Sequence, residues 1–498
     1  MRTRIITIIA NLISFGIQMF ISLFITPIIL EKIGTEAYGF IGLANDFIVY
    51  LSLITTIINS VSARFITLSW CEKKKEKAEK YFNSVIVMNI ILIMLFIIIG
   101  CIYIPNITFF SNVPSNIVSD VKYTFLFTLI SYIVNVYFSI YTTAPFVKDR
   151  LDIQGYRNIL QYSLRGLFIV AIFTIFEPKI YLYSIAMLSV SVIIAFFDYE
   201  IYKKILPEIK IDLKKFSFGA VKELISSGGM LAISNLSSVL LSGLDLLIAN
   251  ISLGAYMMGI LSAAKTMPTN ISNAIIIIGS IFTPSFIALY SQNNINRLVK
   301  EIDNSIRLLT LVMYVPLVGF IIFSPDFYFL WLGSKTVDEI KLIILLSNII
   351  VFECFFNLTT FPLAQLSLVT NKLKLPVIVS FILGVTNTIT VIVLLNFTNL
   401  GVYAIASVST ILLIVRYVLF NPWYAAKMLG VNKSTFFVMT FKRYIMLPVI
   451  FVFMYLVKRL IAIESVTWGK FIINILICGV ISYIFMGLLS IITNRLKN

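Results

Sequence analysis

The chain has 498 residues, of which 59% are hydrophobic and only 12% are charged. So few polar residues could not cover a soluble core of this size, and so much apolar sequence also excludes a disordered chain. Fourteen segments of about 20 residues each would use roughly 300 residues and leave connections of about a dozen residues. The composition therefore predicts an all-α, polytopic integral membrane protein without a sizeable aqueous domain.

The composition also excludes several kinds of chemistry. The chain contains no histidine, which rules out imidazole metal sites and catalytic triads that depend on histidine. Its four cysteines, Cys71, Cys101, Cys354 and Cys478, lie too far apart for a CxxC metal motif or a disulfide framework. No GxxxxGK[ST] phosphate loop occurs. We therefore expect no metal, no cofactor and no ATP hydrolysis by the P-loop route, so any uphill work depends on an ion gradient or on the substrate's own gradient.

Apolar runs bounded by turn and charge signals predict fourteen membrane spans. In chain order these are Ile5–Leu30, Phe40–Phe65, Tyr81–Ile104, Val121–Ala144, Ile159–Phe176, Ile180–Ile201, Leu231–Ile251, Tyr256–Ile287, Ile306–Phe323, Ile340–Phe361, Leu375–Leu395, Gly401–Phe420, Ile445–Ile463 and Phe471–Ile492.

Most of the basic residues fall in alternate connections, among them the lysine run at 73–80 and the linker at 202–222. Positive residues near span ends are retained in the cytoplasm, so both termini are predicted to be cytoplasmic. Lys458, Arg459 and Lys470 depart from this rule in the last hairpin, which makes the final two spans the least certain. The net charge of +16 is explained by topology and anionic lipid headgroups, so we expect no nucleic-acid partner.

An internal repeat divides the first twelve spans. Gly34 and Tyr38 follow the first span much as Gly254 and Tyr256 follow the seventh, and the Asn83-Ser84 and Thr143-Ala144-Pro145 passages recur as Asn304-Ser305 and Thr360-Phe361-Pro362. The offsets stay between about 217 and 221 residues. Two copies of six spans each keep the same orientation, so a pseudo-two-fold axis along the membrane normal is expected. The predicted division is a six-helix bundle at 1–201, a cytoplasmic linker at 202–222, a second six-helix bundle at 223–420 and two additional helices at 421–498.

Ionisable residues lie deep in several apolar runs, where a charge costs about 2.5–3.5 kcal/mol at the bilayer centre. Such residues should face a watery cavity or a partner rather than lipid. They are Asp46, Arg64, Arg165, Asp245, Lys265, Glu353 and Arg416.

Polar stripes mark the first, second, seventh and eighth spans and predict the lining of one central cavity. Asn11 and Gln18 belong to the first stripe, Asn235 and Asp245 to the seventh, and Lys265 begins the eighth. Such stripes also serve as helix-packing contacts in membranes. For Arg165 and Arg416 the alternative is that the side chain snorkels to the cytoplasmic interface, and for Glu353 that it is a protonated, buried group.

The passage from Pro27 to Gly39 resembles the P-x-x-L-x-x-x-G-x-E-x-Y-G passage of bacterial O-antigen and capsule repeat-unit flippases. These flippases form the polysaccharide transporter branch of the superfamily that also contains lipid II flippases and multidrug and toxin extrusion exporters. Trp331-Leu332-Gly333, Arg64, Asp245 and Lys265 also lie where that branch resembles this chain.

The resemblance implies two six-helix bundles in a V around a cationic cavity. It further implies a transporter, not an enzyme, that moves an oligosaccharide on undecaprenyl pyrophosphate to the outer leaflet of the bacterial plasma membrane, with other polysaccharide assembly proteins as possible partners. The predicted substrate-binding residues are Arg64, Lys265, Arg165, Arg416, Asn11, Gln18 and Asn235. The predicted proton- or sodium-coupling residues are Asp46, Asp245 and Glu353.

Three readings of the function follow. Arg64 and Lys265 favour an anionic phosphate-bearing lipid over the organic cations of a multidrug exporter, which is the second reading. The lipid II flippases of that superfamily carry several arginines in the first span. This first span has none beyond Arg2 and Arg4, so the comparison disfavours lipid II as cargo. A membrane polymerase or ligase is the third reading, but the longest outer connections, 105–120 and 324–339, are short and poor in candidate catalytic groups.

Overall fold

The computed structural model describes residues 2–461 and 467–495. Every regular element in these two ranges is helical, and they contain no strand. Fourteen segments among them are long and apolar enough to cross a membrane, so the predicted all-α fold with about fourteen spans is confirmed. The predicted end of the thirteenth span, Ile463, lies outside the described residues.

We number the spans in chain order. They are α1 Ile9–Lys32, α2 Thr35–Cys71, α3 Lys75–Tyr103, α4 Ser115–Val147, α5 Leu151–Ile175, α6 Ile180–Ile205, α7 Phe218–Leu253, α8 Ala255–Ser291, α9 Ile295–Trp331, α10 Val337–Val369, α11 Lys374–Phe397, α12 Val402–Leu429, α13 Ser434–Ile461 and α14 Trp468–Leu489. The helix of α1 begins at Arg2, and that of α14 continues to Arg495.

Five spans are interrupted helices. A 3₁₀ turn interrupts α4 at Ser139–Thr143, and π-turns interrupt α7 at Val239–Gly243 and α12 at Arg416–Phe420. The first helical segment of α8 ends at Ser280, and α10 is divided at Glu353. Each interruption removes intrahelical hydrogen bonds in a setting without bulk water, so neighbouring side chains must supply new partners.

The predicted repeat is visible in two tight turns. Gly34 between α1 and α2 has φ 99°, and Gly254 between α7 and α8 has φ 90°. L-residues rarely adopt this backbone conformation, which explains glycine at both positions. The two following helices meet closely, since a Cβ on Gly259 would lie 2.1 Å from the carbonyl oxygen of Thr35.

The chain forms two compact units. The first contains residues 1–262 and 377–397, and the second contains residues 263–376 and 398–498. The predicted division into bundles at 1–201 and 223–420 stays a prediction.

In the first unit, glycine brings α2 and α7 into backbone contact. A Cβ on Gly228 would lie 1.8 Å from the carbonyl oxygen of Ile57, so α7 approaches α2 more closely than any larger residue allows. Hydroxyl pairs join α4 to α6, where Thr128 lies 2.9 Å from Ser184 and Ser131 lies 2.7 Å from Ser191.

In the second unit, α9 packs against α10, α13 and α14 in one apolar cluster that includes the buried Phe323, Val351, Met454 and Phe471. Lys458 forms an ion pair of 2.8 Å with Asp326 and donates to the carbonyl oxygen of Ile322 at 3.0 Å. Lys458, one of the three basic residues that break the positive-inside pattern, is therefore paired with a carboxylate of α9.

The linker between α6 and α7 is bound by the first turns of α3. The buried Asn83 donates to the carbonyl oxygen of Lys210 at 3.0 Å and accepts from the backbone N–H of Asp212 at 2.8 Å. Glu79 pairs with Lys215, and this hydrogen bond raises the pKa of Lys215. The repeated Asn-Ser passage thus has a structural role in the first half of the chain.

We predict that Asn83→Ala lowers the free energy of unfolding by about 1–3 kcal/mol, because the two backbone groups of the linker lose their buried partner. The loss is measured as a lower apparent melting temperature of the purified protein. Asn304→Ala is the matched control, since Asn304 occupies the equivalent repeat position but is exposed. Equal effects of the two substitutions would contradict this role of Asn83.

Candidate functional site

The helix of α7 is interrupted within the first unit. Its helix Phe218–Ser238 passes into the π-turn, and a new helical segment begins at Asp245. The broken hydrogen-bond ladder leaves backbone carbonyl groups that need donors.

Side chains from two other spans supply these donors. The hydroxyl of Tyr50 in α2 donates to the carbonyl oxygen of Gly243 at 2.7 Å. The amide of Asn387 in α11 donates to the carbonyl oxygens of Leu240 and Leu241, at 3.2 and 3.0 Å. Thr388 adds a further bond of 3.1 Å to Leu240. The break is therefore held in place by α2 and α11 rather than left to fluctuate.

Two of the predicted coupling residues, Asp46 and Asp245, lie close enough to Tyr50 to interact with it. Both carboxylates interact electrostatically with Tyr50, and Asp245 is only 5% exposed. Asp245 also occupies the first turn of the new helical segment, where the helix dipole stabilises a negative charge. The sequence did not indicate Tyr50 or Asn387, although Asn387 and Thr388 are conspicuous polar residues within an apolar span.

The polar stripe of α7 is exposed at Asn235, Ser238 and Ser242, and these side chains make hydrogen bonds within the protein. Asn235 donates to the hydroxyl of Thr56 in α2 at 3.1 Å. Ser238 and Ser242 bond back to carbonyl groups of their own helix, at 3.2 and 3.4 Å. Asn235 is exposed, and its predicted role in binding substrate stays a prediction. In α1, Asn11 is exposed and Gln18 is half-buried.

Arg64 differs from other arginines near the spans. Arg157 pairs with Asp198 at 2.7 Å, and Arg443 pairs with Asp303 at 3.3 Å. Arg64 is exposed on α2, about 10 Å before that helix ends at Cys71, and the described residues offer it no carboxylate partner. Its guanidinium group is available to a ligand.

Arg165 faces a pocket inside the first unit, formed by α2, α4, α5 and α6. Its Nη2 donates to the hydroxyl of Tyr183, and its guanidinium carbon lies 5.8 Å from the centre of the same ring. The guanidinium group is thus held within the bundle, not extended to the interface. Neither Arg64 nor Asp46 lines this pocket.

The remaining candidates lie in the second unit. Lys265 is half-buried in α8, three residues before Pro268. Glu353 stands at the break in α10 with one carboxyl oxygen, Oε2, unpartnered by any described residue. Tyr417, Cys354 and Ser272 surround this carboxyl group. Arg416 opens the π-turn of α12, immediately before Tyr417, and its buried Nε also lacks a partner among the described residues.

A basic groove lies where the α2–α3 loop meets the start of α7. It has a volume of about 700 Å³ and is lined by lysines at 73, 74, 75, 77 and 80 together with Ser217 and Glu223. Glu223 accepts a hydrogen bond from Tyr81. On the predicted topology this groove opens to the cytoplasm.

Comparisons with known proteins support the resemblance seen in the sequence. Residues 3–290 match the family described as "Polysaccharide biosynthesis protein". A curated relative, the uncharacterized membrane protein EpsK of Bacillus subtilis strain 168, is 28% identical over 430 residues, which are 86% of this chain and 84% of EpsK.

Solved structures share the fold at low identity. The lipid II flippase MurJ in an inward closed conformation has a TM-score of 0.68 at 16% identity and covers 99% of this chain and 100% of its own. An inward-facing multidrug resistance MATE transporter of the MOP superfamily has a TM-score of 0.67 at 15% identity, with 84% and 96% covered.

A third structure is a MOP superfamily transporter from Pyrococcus furiosus whose reversed pocket polarity suggests a different function. It has a TM-score of 0.63 at 16% identity, with 86% of this chain and 96% of its own covered. The match over more than half of the sequence shows that this multi-pass membrane protein belongs to the polysaccharide biosynthesis protein family.

Proposed function

We propose that the protein is a flippase that moves undecaprenyl-pyrophosphate-linked oligosaccharide repeat units from the cytoplasmic to the outer leaflet of the bacterial plasma membrane by alternating access. Membership of the polysaccharide biosynthesis family and the fold shared with MurJ support a transporter of a lipid-linked sugar. The product would be O-antigen, capsule or another surface polysaccharide.

The observation that carries the proposal is the exposed Arg64 within an apolar span, which has no carboxylate partner among the described residues. A guanidinium group there is costly unless a ligand balances its positive charge. Arginine binds phosphate oxygens through paired, charge-assisted hydrogen bonds, so a pyrophosphate is a fitting ligand. The prenyl tail can remain in the bilayer while the charged head passes through the protein.

The basic groove fits the first step of this route. A pyrophosphate headgroup arriving from the cytoplasmic leaflet would meet its five lysines before it reaches the spans. Lys265 lies at a position where this chain resembles the polysaccharide transporter branch. We propose it as a second cationic contact for the pyrophosphate.

A multidrug exporter is the alternative within the same superfamily. Organic cations are bound by acidic and aromatic surfaces, whereas the unpaired charge on α2 is basic. The MATE likeness concerns the fold and does not favour drug export over lipid transport.

We propose that Asp46 and Asp245 couple transport to a proton or sodium ion, because both lie beside the fixed break in α7. Glu353 is a further candidate in the second unit, where a buried carboxyl oxygen lacks a partner among the described residues. Cation binding or protonation would neutralise these carboxylates within the apolar spans.

The variant Arg64→Ala is tested in a strain whose chromosomal gene for this protein has been deleted. We expect it to reduce surface glycan at least about tenfold, because one charged hydrogen bond to the cargo contributes about 1.5–3 kcal/mol. Membrane insertion and protein level should stay normal. Arg64→Lys should restore part of the activity, and Arg297→Ala, which changes an exposed arginine in the first turn of α9, should have no effect. Normal glycan in the Arg64→Ala strain would contradict the cationic contact.

Asp245→Asn is expected to reduce surface glycan at least about tenfold while the purified variant still binds the lipid-linked cargo. Cargo binding is measured by native mass spectrometry, which separates coupling from recognition. Asp338→Asn, at an exposed position at the start of α10, serves as the control. Loss of cargo binding together with glycan would assign Asp245 to recognition instead.

A further inference from the structure

The pocket around Arg165 lies deep within the first unit. Arg165 is fourteen residues into α5, so it lies about 21 Å from the start of that helix. The pocket has a volume of about 200 Å³. This is room for a few water-sized groups of about 30 Å³ each, and far too little for an oligosaccharide.

The lining of this pocket carries an unbalanced positive charge. Arg165 is its only ionised side chain among the described residues, and no carboxylate lines it. The other polar groups are neutral hydroxyls and amides. Arg165 is half-buried and its Nε atom is buried, so a negative partner would lower the cost of holding this charge inside the bundle.

Arg157, on the same helix α5, has its positive charge balanced by a carboxylate of the protein. Arg157, Gln161 and Arg165 are spaced four residues apart and share one face of α5. Arg157 binds Asp198 through Nε at 2.7 Å and through Nη2 at 2.8 Å. Two turns further along, Arg165 has the neutral hydroxyl of Tyr183, while its buried Nε has no hydrogen-bond partner among the described residues.

Two neighbouring groups can offer donors to the pocket. The Oε1 atom of Gln161 already accepts from Arg157 at 3.1 Å, which leaves the Gln161 NH₂ group for the pocket, and the hydroxyl of Tyr162 also lines it. The lining residues Asn45 and Asn135 use their NH₂ groups elsewhere, on the carbonyl oxygen of Ile41 at 3.0 Å and on the hydroxyl of Ser191 at 3.2 Å. A cation beside an amide donor and a hydroxyl donor can hold an anion.

We propose that this pocket binds one small monovalent inorganic anion, chloride under cellular conditions, as the counter-ion of Arg165. One negative charge balances the single guanidinium group, whereas a divalent anion would leave a net charge inside the bundle. The site is separate from the proposed cargo contact at Arg64 and does not depend on the flippase function. Its role is to stabilise the packing of α2, α4, α5 and α6.

The first test uses the purified full-length protein in sodium gluconate, titrated with sodium chloride. Chloride should raise the apparent melting temperature saturably by at least about 2 °C, because a ligand of the folded state stabilises it. Sodium sulfate at matched ionic strength should not reproduce the rise. Arg165→Gln should abolish the chloride response, and the surface variant Arg297→Gln, in the first turn of α9, should retain it. An unsaturable response in the wild type, or an equal response in Arg165→Gln, would overturn the proposal.

The second test does not depend on a variant that folds. Crystals of the wild-type protein grown in sodium bromide should show an anomalous peak beside the Arg165 guanidinium group. A pocket filled by water alone, without anomalous signal there, would refute the anion site.

Arg165→Lys, which keeps the charge, should show a chloride response with a higher half-saturating concentration.

Discussion

The absence of bulk water within the spans is the constraint on which the structure depends. Each backbone carbonyl freed by a helix interruption, and each ionised side chain, must find its partner in the protein or in a ligand. The break in α7 obeys this rule through Tyr50, Asn387 and Thr388, which together bind three carbonyl groups of the interrupted turn. By composition α7 would be one continuous helix, but these side chains hold it in an interrupted form. The interruption places Asp245 at the start of a helical segment.

The same rule separates structural charges from functional ones. Arg157 and Lys458 have carboxylate partners at 2.7 and 2.8 Å, so their charges are used within the fold. Arg64 and Arg165 have none among the described residues, and the ligands proposed for them differ because their surroundings differ. Arg64 is exposed and suits a large phosphate-bearing headgroup, whereas Arg165 faces a small pocket that suits a single anion.

Much of the fold could be predicted from the sequence because hydrophobic length alone determines where spans occur. The glycine turns at Gly34 and Gly254 were recognisable for the same local reason, since few other residues adopt a positive φ. The partners of buried polar groups were not predictable. The bond from Asn235 to Thr56 and the role of Asn387 were missed, because these contacts join spans that are far apart in sequence. Asp46 and Asp245 were found because an acid in an apolar run is costly wherever it lies, but Tyr50, which links them, carries no such signal.

The central claim is that this chain carries a pyrophosphate-linked sugar between leaflets. The most direct measurement places the purified protein in vesicles whose inner leaflet holds undecaprenyl-pyrophosphate-linked oligosaccharide, and follows the appearance of the sugar to a lectin added outside. The account predicts that the sugar becomes accessible in vesicles containing the wild-type protein and stays inaccessible in protein-free vesicles. Equal accessibility with and without the protein, under an imposed proton or sodium gradient, would contradict it.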